Sequence, residues 1–292
     1  KWASPDMFAF TLLYYLLRTL HHPPLIESLQ VLDVGFSCYN IFCVASVIST
    51  LAVNLPREAD DTDDKAAVAR PEQANFLARR AIVPVNALLL AVWAGVFVTG
   101  ILAPCLSLRL DTDLLLRASG LPEALAPVIE QMDVASLINS DVSIWRASLA
   151  LWGWFFTSLE LNLLLAALML SVFSMALTAA DMLLLVAASC CASYGDVRAE
   201  EVGAKALQSM EWRKRAATIL RVAHVLKHLA MLDVCAAGVV VISFAASIYR
   251  AQGIVIGLMW GIHLIVASEF VHYATYYTVS WAVESICAGR TS

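Results

Sequence analysis

Carboxylates inside apolar runs are the residues of this chain best placed to do chemistry. Leu229 to Ile248 reads L-A-M-L-D-V-C-A-A-G-V-V-V-I-S-F-A-A-S-I, with Asp233 near its start. Leu29 to Thr50 begins L-Q-V-L-D-V and places Asp33 in the matching position. An ionisable group in a bilayer is costly, so such a residue marks a functional site by default. A third carboxylate, Asp181, follows Ser171, Ser174 and Thr178 at helical spacing. The four share one helical face, which in lipid must turn toward polar partners or water. Together Asp233, Asp181, Thr178, Ser174, Ser171 and Asp33 are read as a ligand-binding or polar path.

A second set could hold a metal or a pigment. Glu269 and His272 are three apart on one helical face, half of the E-x-x-H pairing of a di-metal site. The second E-x-x-H is missing, so no metal is expected. His224 and His228 are four apart, a spacing that suits a metal or haem ligand pair, but Arg221 and Lys227 beside them favour attraction to lipid headgroups. His228 and His263 are the candidates for a pigment. No cofactor is expected, whereas bound lipids are. The seven cysteines form no C-x-x-C and read as small packing residues. No G-x-S-x-G, H-E-x-x-H or P-loop lysine motif occurs, so no enzyme is expected.

The elements that position these groups follow from composition. The chain has 292 residues, of which 60% are hydrophobic and 15% charged. Soluble domains are about 45–50% apolar and about 25% charged. The net charge of -5 comes with no basic stripe, which argues against nucleic acid as a partner. The fold class is therefore all-α, a polytopic transmembrane bundle of about six spans. Apolar runs fall near 5–20, 31–54, 82–107, 155–190, 229–249 and 254–283. Residues 1–55 form an N-terminal helical pair, 56–80 a polar linker, and 81–292 a four-helix unit. Basic residues gather at 56–80 and 192–228, which places both loops on the cytoplasmic-type face. The loop at 108–142 then faces the other way and carries a short amphipathic helix at L-P-E-A-L-A-P-V-I-E-Q-M. Ser143 to Trp154 lies along the interface or dips in and returns.

The order of segments carries a resemblance. A span ends T-G-I-L-A-P-C-L-S-L, then come S-I-W-R-A-S-L-A-L-W-G-W and a long helix. A basic loop leads into L-A-M-L-D-V, and the last helix contains A-S-E-F. This resembles the paraquat-inducible protein A family of membrane proteins, over residues 82–283 as one complete unit and 5–54 as part of a second. The resemblance implies lipid or amphiphile transport with membrane lipids and other membrane or envelope-spanning subunits as partners. It places the protein in a bacterial-type inner membrane or an organelle membrane. Ala230 stands where the family has serine, and Met175 to Thr178 lacks the family's lysine, so only Asp233 carries over. The alternative from a different class is a non-catalytic structural or cofactor-binding subunit of an organellar respiratory or photosynthetic complex.

Overall fold

The computed structural model describes residues 5–19, 30–53, 73–111, 139–199, 206–252 and 254–288. The amphipathic helix expected within 108–142 and most of the 56–80 linker lie outside these residues.

Helices dominate because the apolar runs are long and glycine-poor. In chain order they are α1 (Pro5–Thr19), α2 (Val34–Val53), α3 (Gln73–Leu102) and α4 (Ile144–Ser158). Next come α5 (Leu161–Leu168), a π-helical segment (Met169–Ala176) and α6 (Leu177–Ala199). The last are α7 (Ala206–Leu229), α8 (Leu232–Ala245) and α9 (Trp260–Ala288). Local chemistry sets several ends. Pro5 opens α1, where its missing N–H costs nothing, and Asp6 sits in the first turn. The Ser143 hydroxyl caps α4 by accepting from Arg146 N at 3.2 Å. Leu159 ends α4 in the left-handed region at φ 56°, a strained choice for a residue with a branched side chain.

Three spans are long and apolar enough to cross a membrane among the described residues: Val83–Leu102, Leu161–Ser193 and Lys214–Ile248. Val34–Thr50 is a shorter apolar helix. The chain divides into two compact units. One takes Lys1–Val44, Val96–Met175 and Met231–Ser268; the other takes Ala45–Gly95, Ala176–Ala230 and Glu269–Ser292.

The first unit holds a feature the helical reading did not anticipate, a three-stranded antiparallel sheet in the order β2-β1-β3. β1 (Leu106–Leu110) pairs with β2 (Ser140–Val142) through Leu106↔Val142, and with β3 (Ile254–Leu258) through Leu106↔Leu258. Short apolar runs of this kind look alike as strands and as helix ends. In the same unit α1 packs on α8 and buries Met7, Phe8, Leu12 and Leu16. The approach is so close that a Cβ at Gly238 would lie 2.7 Å from the Pro5 carbonyl oxygen. In the second unit α6 and α7 pack along each other.

Candidate functional site

The site is built in the second unit, where α6 and α9 each bury a titratable side chain. Asp181 lies in the first turns of α6, and its side chain is 0% exposed. His272 lies on α9, and its side chain is 3% exposed. His272 Nε2 is 2.7 Å from Asp181 Oδ2, a charge-assisted distance in which the ring N–H donates to the carboxylate. Glu269, one turn earlier on α9, brings Oε2 to 3.5 Å from His272 Nδ1, an ion-pair contact longer than a hydrogen bond. Asp181 Oδ1 and His272 Nδ1 are buried without a hydrogen-bond partner among the described residues. A buried carboxylate oxygen left this way is rare enough to need an explanation.

A second polar node lies in the same unit. Asn86 on α3 is buried, donates from Nδ2 to Ser189 Oγ at 2.6 Å, and accepts from Thr278 Oγ1 at 3.3 Å. It thereby joins α3, α6 and α9 through side chains that lipid would otherwise leave unsatisfied. Asn86 was missed in the sequence, although a lone amide two residues after Pro84 in an apolar run was a visible signal.

A cluster of bases and rings also lies on α7 and α9 in the second unit. The Lys227 ammonium lies 3.5 Å from the Tyr276 ring centroid and 4.4 Å from that of Tyr273. His224 Nδ1 is 2.7 Å from the Tyr276 hydroxyl, and His228 Nδ1 donates to the His224 carbonyl at 2.8 Å. The rings of His224 and His228 are 4.6 Å apart, and both residues are exposed.

The other candidates are distributed differently. Thr178 and Ser174 are buried, and the π segment between Met169 and Ala176 departs from the 3.6-residue period on which the stripe was read. Thr178 and Asp181 belong to the second unit; Ser171 and Ser174 belong to the first. Ser171 accepts from Trp152 Nε1 at 3.2 Å and donates to the Ala167 carbonyl. Ser174 donates to the Leu170 carbonyl. The π segment also lends the Phe173 carbonyl to Met231 N at 2.9 Å, across from the break between α7 and α8. Asp233 follows that break, half-buried in the first turn of α8, and its Oδ1 accepts from Val234 N at 2.9 Å. Asp33 makes the same contact with Val34 N at 2.7 Å, immediately before α2, and is exposed. Both carboxylates thus serve their own helix starts. His263 is exposed on α9 in the first unit.

No set of three or more His, Cys, Asp or Glu side chains among the described residues is arranged to hold a metal ion. Compared with family models, curated proteins and solved structures, the chain matches none.

Proposed function

We propose that the protein is an integral membrane protein of about six spans that handles lipids or small amphiphiles along a polar intramembrane path. The observation that carries this reading is the buried Asp181–His272 pair with its unpartnered carboxylate oxygen. Depth is what gives the pair meaning. Asn86 stands three residues inside the span that begins at Val83, and it meets Ser189 and Thr278. Asp181 is eight residues from Ser189 along α6, about 12 Å at 1.5 Å per residue. His272 is six residues from Thr278 along α9, about 9 Å. With the membrane boundary at Val83, these distances put both inside a hydrocarbon core about 30 Å thick, where an ionisable group is a functional-site hypothesis by default.

The resemblance to the paraquat-inducible protein A family supports the choice of lipid as cargo. It also supports partner subunits in a bacterial-type inner membrane or an organelle membrane. In this account Asp181, Thr178, His272 and Glu269 form the core of the path within the second unit, and Asp233 is carried by the family resemblance. The test is lipid transfer between vesicles by the reconstituted protein, with Asp181→Ala and Asp233→Ala made singly and together. Loss of transfer with helicity retained is expected. Unchanged transfer by the folded double variant contradicts the proposal.

The exposed apolar side chains favour one second reading. Phe244 and Ile248 on the first unit, and Phe270 and Tyr277 on the second, are large and exposed. Such faces suit lipid or neighbouring subunits of an organellar complex. Co-purification at fixed stoichiometry with a multi-subunit assembly supports that reading, and a lone protein counts against it.

A further inference from the structure

The start of α2 and one side of α1 enclose a cleft of about 540 Å³ in the first unit. That volume falls within the range of about 300–1,000 Å³ typical of small-molecule sites. Much of its wall is apolar: Phe10, Leu13, Leu17 and Phe36 line it, and Phe10 is 53% exposed. Four polar residues share the lining: Tyr14 on α1, Gln30 and Asp33 before α2, and Tyr39 one and a half turns along α2; Asp33 is the one carboxylate among them and is exposed. Arg18 on α1 lies over the Trp154 ring at 4.5 Å and donates to the hydroxyl of cleft-lining Tyr14, and no contact joins it to Asp33 among the described residues. Gly35 lines the cleft as well, and a Cβ there would meet nothing within 4 Å.

The position of Asp33 matches an amphiphile. Asn162 donates to the Leu32 carbonyl and accepts from Ser37, which ties the start of α2 to the first turn of α5. The apolar span that contains α5 begins at Leu161. The carboxylate rim therefore stands at the level where a membrane span begins, with apolar walls beside it. A single hydrocarbon chain can lie against Phe10, Leu13 and Phe36 while its head meets Asp33. The geometry points to a binding site for a single-chain lipid whose head carries an ammonium group. This deepens the lipid-handling reading, and it is read by equilibrium labelling that requires no lipid movement.

The probe is a photoreactive hexadecylamine, added to the full chain in nanodiscs, with cross-links mapped by mass spectrometry. Unlabelled hexadecylamine, hexadecanol and palmitate, of equal chain length, serve as competitors. Labelling is expected to concentrate in α1 and at the start of α2, and the amine is expected to compete at least tenfold better than the alcohol. Gly35→Phe fills open space and is expected to reduce labelling there at least tenfold. Gly95→Phe, which also meets open space but does not line the cleft, is the control and is expected to leave labelling unchanged. If Gly35→Phe fails to fold, Gly35→Leu and the charge test with Asp33→Asn remain. Asp33→Asn is expected to remove the preference for amine over alcohol while apolar labelling persists. Labelling spread evenly over the apolar perimeter, or an unaltered amine preference in Asp33→Asn, overturns the inference. Failure here leaves lipid transfer intact as a separate question, because transfer is measured on Asp181 and Asp233.

Discussion

Replacing Asp181 by Leu is expected to destabilise the protein by about 3 kcal/mol, and adding His272→Phe is expected to restore about 2 kcal/mol of that loss. Two scales compete for this site. Polar contacts between membrane helices average about 0.6 kcal/mol and reach about 1.7 kcal/mol. Removing one member of a buried ion pair costs about 3–5 kcal/mol, because the other charge stays behind unpaired. The pair is short, at 2.7 Å, and almost wholly buried, which selects the larger scale. Glu269 at 3.5 Å still faces His272 after Asp181 is gone, which holds the cost near the lower end. The double variant removes both members of the 2.7 Å pair and substitutes apolar volume, a change that is commonly neutral or better, but it leaves Glu269 without its imidazole partner, so the recovery stays incomplete. The assay is reversible unfolding in mixed micelles followed by helicity, as a complete double-mutant cycle. A cost below about 1 kcal/mol for Asp181→Leu, or simple additivity with His272→Phe, refutes the reasoning.

Three further outcomes are expected. Gly238→Ala drives a methyl to 2.7 Å from the Pro5 carbonyl oxygen and costs about 1–3 kcal/mol, whereas Gly153→Ala meets open space and gains up to about 1 kcal/mol. The same unfolding assay reads both. Asn86→Ala breaks the contacts with Ser189 and Thr278 and lowers stability by about 1–1.7 kcal/mol, less than Asp181→Leu; an equal or larger loss contradicts the ranking. Cys105, 2% exposed, resists maleimide in the native protein and reacts only after denaturation, as peptide mapping shows.

Hydropathy reveals helices and hides partners, and particular residues show why. The runs at 5–20 and 31–54 coincide with α1 and α2 because each is one uninterrupted apolar stretch between polar flanks. The run at 82–107 stops as a helix at Leu102, since Pro104 cannot continue it and Leu106–Leu110 pairs as a strand. The last run loses Ile254–Leu258 to the same sheet. Strand pairing joins residues about a hundred and fifty apart in sequence, and no local period records it. The polar residues followed the same division. Asp181 was visible as a carboxylate in an apolar run, but its partner lies 91 residues away, so the pairing was not. The stripe from Ser171 to Asp181 assumed a uniform 3.6-residue period, which the π segment at Met169–Ala176 breaks.

The double variant Asp181→Leu with His272→Phe also bears most directly on the polar path, because it separates function from stability. Lipid transfer between vesicles by this variant, reconstituted at matched amounts and with native helicity, is the decisive measurement. Transfer reduced to the protein-free rate despite recovered stability is the expected result. Transfer at the unmodified rate contradicts a polar path through Asp181 and His272 and leaves the pair as a strut between α6 and α9.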